Sequence, residues 1–140
     1  MLEPASDLPI IAIKEIELAL VKLWRATGQE RYLKLAEFFI GERGHRCGRP
    51  LQGDYSQDHL PVREQSEIIG HAVRAMYLYS GVSDLAALRD EPAYRQTLDA
   101  IWRDVVQHKM YLTGGVGPSG GNEGFTAAYD LPNESAYAET

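Results

Sequence analysis

The sequence has a single cysteine, Cys47, in 140 residues, so no intrachain disulfide and no multi-cysteine metal site can be built from this chain alone. Scarce cysteine also makes a reducing, cytoplasmic setting the default expectation. Positive charge is the next shortage. Lys and Arg number 14 against 20 Asp and Glu, a formal net charge of −6, which argues against a nucleic-acid binder whose affinity rests on neutralising phosphates. An uncharged partner suits that balance better. No long apolar run is present either: the strongest one, Leu8 to Trp24, is interrupted by Lys14, Glu15, Glu17 and Lys22, which excludes a membrane-spanning helix there. Behind Met1 stand Glu3, Pro4 and Asp7, without the basic and apolar regions of a signal peptide.

What is there is globular in character. Hydrophobic residues make up 44% and charged residues 24%, and a chain of this size buries roughly 68–70% of its unfolded surface. From Pro9 to Ala26 the residues Ile13, Ile16, Ala19, Leu20, Leu23 and Trp24 recur at helical spacing, with Pro9 in the first turn and Gly28 as the stop. Tyr32, Leu33, Leu35, Ala36, Phe39 and Ile40 predict a second helix ending near Gly44, and so short a connection makes the two antiparallel neighbours. Gly44 to Pro61 reads as a long loop of the functional kind. A third helix is expected from about Val62 to Tyr79, closed by Gly81, then a short connecting helix over Ser83–Leu88, and a fourth from Pro92 to about Lys109.

The stretches Arg25–Gly28 and Leu78–Gly81 echo one another as helix ends, so hairpin follows hairpin. Stacked helix pairs build α-solenoids or closed toroids, and each pair leaves a hydrophobic face for its neighbours to cover. After Lys109 the pattern predicts short extended stretches at Met110–Thr113 and Gly124–Tyr129, a short β-hairpin around the glycine-rich run Gly114–Gly121. Asp130 to Asn133 should turn the chain into a last helix beginning at Ala136.

The glycine-rich run invites a phosphate-loop reading, but no Gly-Lys-Ser/Thr follows it and Glu123 would repel an anion. It otherwise reads as a plain flexible loop or as a loop presenting Glu123 to a site. Glu123 is the best acid/base candidate: small neighbours let a substrate approach, and Phe125 lowers the local polarity. Its competing reading is a solvated loop glutamate. His71, set mid-helix among Ile68, Ile69, Ala72 and Val73, is either a satisfied core histidine or a site residue. Arg63 and Glu67 have the spacing of a surface pair. Cys47, beside Arg46 and Arg49, is either an activated thiol or incidental. Trp24, Trp102, Tyr111, Tyr129 and Tyr137 are core residues or platforms for sugar rings.

Several stretches carry a more specific signal: Asp58-His59-Leu60-Pro61-Val62-Arg63-Glu64-Gln65, Gly70 to Leu78, Met110 to Gly117, Glu123-Gly124-Phe125 and Tyr129 to Thr140. In order and spacing this series resembles glycoside hydrolase family 127, the β-L-arabinofuranosidases. The resemblance runs from about Ile10 to Thr140. It implies an all-α fold, helical hairpins forming part of an (α/α)6 toroid, with residues 1–140 a central part of that catalytic domain and no second domain. It also implies that Glu123 matches the general acid/base, that His71 matches a histidine lining the sugar pocket with His59 also binding substrate, and that Glu139 matches a zinc-binding glutamate. The family's other zinc ligands are cysteines, one of them the nucleophile, and the first is expected directly after Thr140. Cys47 matches none of them. The resemblance therefore leads to the expectation that zinc belongs to the longer family members and is not held by these residues, which alone should be inactive. The implied partner is an L-arabinofuranoside-containing oligosaccharide, with no nucleic acid and no membrane, and uncovered apolar faces make a homo-oligomer the expected form. Two other readings stay open: an isomerase of the sugar 2-epimerase type shuttling protons through His59, His71 and Glu123, and a helical-repeat module that binds a partner protein on its aromatic surface.

Overall fold

A computed structural model describes residues 16–46, 48 and 50–137. Among these residues four α-helices carry the fold: α1 (Ile16–Thr27), α2 (Glu30–Glu42), α3 (Ala72–Arg89) and α4 (Pro92–Asp104), the last continued by a π-turn over Val105–Lys109. The fold is all-α, as expected, and its helices pair into two successive hairpins. Among the described residues no helix is long and apolar enough to cross a membrane.

The first hairpin follows from local signals. Gly28 takes φ +67° and its N–H donates to the Trp24 carbonyl at 2.8 Å, which ends α1. Only Gly28 and Gln29 separate α1 from α2, so the helices fold back and bury the stripes that their spacing predicts: Leu20 and Val21 on α1, Leu33, Ala36 and Ile40 on α2. Leu78, Val82, Leu85 and Ala86 of α3 close this core. The part of the first predicted helix before Ile16 lies outside the described residues, as does Cys47.

The third helix differs from expectation at both ends. Val62–Glu64 forms only a 3-10 turn and α3 begins at Ala72. The cause is Gly70: it has φ +75°, and a Cβ there would lie 1.9 Å from the Asp54 carbonyl oxygen, so the chain is bent at that point by contact with another segment. His71 is consequently the residue that caps α3 and not a mid-helix residue. At the other end α3 runs through Gly81 to Arg89 and absorbs the predicted helix over Ser83–Leu88. Gly81 is a contact and not a stop. A Cβ there would meet Glu17 Cβ and Leu18 N at 3.1 Å, so the missing side chain lets α1 and α3 approach. The echo between Gly28 and Gly81 therefore fails in structure.

The expected hairpin around Met110–Tyr129 is absent: among the described residues that region forms isolated bridges, Met110 with Val116 and Ser119 with Gly124, and no strand. Glycines favour tight turns there over a sustained ladder. The final helix is likewise not begun by Tyr137, and Ala138 to Thr140 lie outside the described residues.

The 44–61 loop is held by side-chain amides. Gln57 Nε2 donates to the Ile69 carbonyl at 3.0 Å, and Gln65 Nε2 to the carbonyls of Leu60 and Gln57 at 2.7 and 2.9 Å. Tyr79 Oη donates to Gln65 Oε1 at 2.5 Å, and burial pushes the Tyr79 phenol far above its ordinary range, against the opposing influence of Arg43. A second apolar cluster, Ile68, Ala72, Ala75, Tyr79, Ile101, Val105, Val116 and Phe125, joins α3 and α4 to the glycine-rich segment. Beside it the buried Lys109 donates to the Ile68 carbonyl at 2.9 Å and to Glu67 at 2.6 Å, while Asp104 accepts the Ile68 N–H at 2.9 Å.

Candidate active site

The first turn of a helix leaves N–H groups without intrahelical partners. At the start of α3 these are met by other segments: Ala72 N–H donates to the Glu123 carbonyl at 3.0 Å and His71 N–H to the Tyr55 carbonyl at 3.3 Å. Phe125 N–H donates back to the Gly70 carbonyl at 2.9 Å. The approach is so close that a Cβ at Gly124 would stand 1.9 Å from the Gly70 oxygen. Phe125, buried in the second cluster, anchors this contact, and Ser119 and Gly124 exchange backbone hydrogen bonds at 3.2 Å to close the loop between them. Glu123 is the last residue of that closed loop and has φ +50°, a conformation non-glycine residues adopt uncommonly and one concentrated at functional sites.

The loop thus delivers Glu123 to His71. Oε2 of Glu123 lies 3.0 Å from Nε2 of His71, and Tyr137 Oη donates to Oε1 at 3.1 Å. The His71 side chain is 11% exposed and that of Glu123 45%, so a buried imidazole supports a carboxylate that solvent and substrate can reach. Nδ1 of His71 is buried and, among the described residues, has no hydrogen-bond partner. Tyr55 packs edge-on to His71 at 5.5 Å between ring centres, and the Arg74 guanidinium lies 4.4 Å above the Tyr55 ring. Chemically this is one accessible carboxylate with a hydrogen-bonding partner on each oxygen, a unit suited to giving and taking a proton.

Of the residues singled out from sequence, the structure brings His71 and Glu123 together across 52 positions. His59 stands in the 44–61 loop next to the buried Asp58, with its own Nδ1 buried and unpartnered, and among the described residues it makes no hydrogen bond to His71 or Glu123. Glu139 lies outside the described residues. Among the described residues no three His, Cys, Asp or Glu side chains converge as a metal site, and Glu139, the zinc ligand that the resemblance places in this chain, is not among them. Arg63 pairs with Glu91 at 3.8 Å, and Glu67 pairs with Lys109. Sequence reasoning missed Tyr137 as a partner of Glu123. Nothing in a separation of 14 residues through a glycine-rich loop signals that contact.

Comparison with known proteins bears on this arrangement. The family model described as the β-L-arabinofuranosidase GH127 catalytic domain matches residues 4–140. A non-reducing end β-L-arabinofuranosidase of Bifidobacterium longum subsp. longum is 38% identical over 144 aligned residues, covering 90% of this chain and 22% of that protein. A solved GH127 β-arabinofuranosidase structure is 48% identical with a TM-score of 0.84, covering 89% of this chain and 19% of that one. A GH127 β-L-arabinofuranosidase from Geobacillus stearothermophilus T6 is 43% identical with a TM-score of 0.83, covering 89% and 22%. The chain therefore spans about a fifth of the length of these relatives.

Proposed function

The chain belongs to the GH127 catalytic-domain family of β-L-arabinofuranosidases, and on that footing we propose that it contributes the acid/base half of a retaining glycosidase site acting on β-L-arabinofuranosides. The observation that carries this reading is the carboxylate of Glu123, accessible to substrate and held at 3.0 Å by His71. Glu123 protonates the glycosidic oxygen as the bond to the sugar breaks, then takes a proton from the water that completes hydrolysis. His71 fixes the carboxylate against the loop so that this proton meets the leaving oxygen, and His59 serves substrate binding from the neighbouring loop.

A retaining site also needs a nucleophile, ordinarily a second carboxylate about 5–5.5 Å away. No carboxylate hydrogen-bonds to the His71–Glu123 pair among the described residues. The reading assigns that role to a cysteine outside these 140 residues and a share in zinc binding to Glu139. On this reading the 140 residues form part of an (α/α)6 toroid, do not hold zinc by themselves and turn over no glycoside alone. Their partner is an arabinofuranoside-containing oligosaccharide and not nucleic acid or membrane. Exposed apolar side chains such as Trp102 and Leu112 favour self-association.

The test is a chimera in which this chain replaces the matching segment of the Bifidobacterium longum relative. It should hydrolyse an aryl β-L-arabinofuranoside, and Glu123→Gln should lower kcat on poor leaving groups by about 10²–10⁴ and less on activated aryl groups. A folded chimera whose Glu123→Gln variant keeps full activity on poor leaving groups overturns the reading.

A further inference from the structure

The chain at residues 69–71 has hydrogen-bonding neighbours on both sides. On one side lies the segment that carries Glu123: the Gly70 carbonyl accepts from Phe125 N–H at 2.9 Å and Ala72 N–H donates to the Glu123 carbonyl at 3.0 Å, around the bridge between His71 and Gly124. On the other side His71 N–H donates to the Tyr55 carbonyl at 3.3 Å, and the carbonyls of Ile69 and His71 face a side chain, that of Gln57.

Gln57 Nε2 lies 3.0 Å from the Ile69 carbonyl oxygen, 3.2 Å from that of Tyr55 and 3.3 Å from that of His71. Three acceptors around one atom identify it as the amide nitrogen, because the amide oxygen turned there would face three oxygens with nothing to donate. Its two hydrogens are shared among the three carbonyls. Gln57 is 1% exposed, so water cannot easily replace these bonds.

The amide is also held from behind. Gln57 stands at φ +54° at the end of the 54–56 turn, its N–H donating to the Asp54 carbonyl at 3.1 Å. Its own carbonyl accepts from Gln65 Nε2 at 2.9 Å, and Gln65 is tied to α3 through Tyr79. Gly70 fits against the result: a Cβ there would lie 2.7 Å from Gln57 Nε2. One buried side chain thus does for residues 69–71 what a third backbone segment would do.

We propose that Gln57 is a positioning residue for the acid/base carboxylate. Its amide fixes the peptide units on either side of Gly70, these aim the His71 imidazole, and His71 holds Glu123. Gln57 acts only through His71, and among the described residues it makes no hydrogen bond to Glu123. The role rests on the acid/base reading of Glu123.

Two variants of the chimera with the Bifidobacterium longum relative test it. Gln57→Asn withdraws the amide by one methylene, about 1.5 Å, and asparagine accepts the left-handed backbone of this position. Gln57→Met keeps the length and removes both donors. Each is assayed beside Glu123→Gln on a methyl and a nitrophenyl β-L-arabinofuranoside, with a cooperative thermal transition as the check on folding. A misaimed acid fails the poorer leaving group, so kcat/KM on the methyl glycoside should fall by about 10–10²-fold in both Gln57 variants and by less on the nitrophenyl glycoside. In the Glu123→Gln background Gln57→Asn should add no further loss on the methyl glycoside, because both changes remove the same proton transfer. Leu33→Ala, which loosens the packing of the first hairpin, should leave the ratio of the two rates as it is.

Equal losses on both glycosides, or a loss in the double variant that multiplies the two single losses, would show Gln57 to be structural alone and overturn the proposal. A selective loss in Glu123→Gln that folded Gln57 variants do not share overturns this proposal and leaves the acid/base reading standing. Full activity of Glu123→Gln on the methyl glycoside overturns both.

Discussion

The α1–α2 hairpin and the loops that carry Glu123 are held together by different physics. Leu33, Ala36 and Ile40 lock the hairpin by burying apolar surface, a force that is proportional to area and indifferent to direction. The loops around His71 are locked by directional hydrogen bonds between backbone segments and by glycines that let those segments touch, Gly70 against Asp54 and Gly124 against Gly70. The hairpin is therefore tolerant of reshaping and the loops are not. A carboxylate aimed at one nitrogen of one imidazole needs the second kind of construction.

Placing a methyl group on each kind of glycine gives the largest expected difference. Gly124→Ala drives a Cβ to 1.9 Å from the Gly70 oxygen and should abolish the contact between His71 and Glu123, with destabilisation above about 4 kcal/mol or failure to fold. Gly28→Ala meets nothing within 4 Å and carries only the cost of φ +67°, about 1–2 kcal/mol. Urea denaturation of both variants checks the contrast, and equal losses would break it. Next in size, Leu33→Ala, at a site 1% exposed, should cost about 2–5 kcal/mol in the same measurement while leaving the His71 and Glu123 resonances in place.

Tyr79, packed with Phe125 in the second cluster and bonded to Gln65, should give a smaller effect than Leu33→Ala and the most specific one. Its phenol is raised by burial, so below the ordinary tyrosine value both folded and unfolded chains hold the proton and the stability it brings is complete. Above about pH 10 the unfolded chain releases that proton while the folded chain keeps it, and stability falls as pH rises. Tyr79→Phe removes this component and leaves Gln65 Oε1 without its donor, a cost of about 1–3 kcal/mol at neutral pH. The fall in Tm between about pH 9 and pH 10.5 should be shallower in the variant but not absent, because Tyr94 and Tyr111 are also raised by burial.

The parts legible in sequence are those whose determinants are local. The apolar spacing of α1 and α2, the stop at Gly28 and the start of α4 at Pro92 need only a few adjacent residues. Glu123 and His71 are nameable as candidates from residue type and from the motif series. The errors fall where a distant neighbour decides. Gly81 carries the same signal as Gly28, and only the approach of α1 shows that it serves packing. Ile68 to Val73 has helical composition, and only Asp54 behind Gly70 shows why the helix waits until Ala72.

Sequence alone therefore determined the helical hairpins and the family, because periodicity and motif order are properties of neighbouring residues and survive without a fold. Tertiary structure decided which glycines bend the chain and which permit contact, that His71 caps α3, and that Glu123 lies between His71 and Tyr137. Those outcomes join residues 14 and 52 positions apart, and no local preference specifies such a pairing until the segments between them have packed.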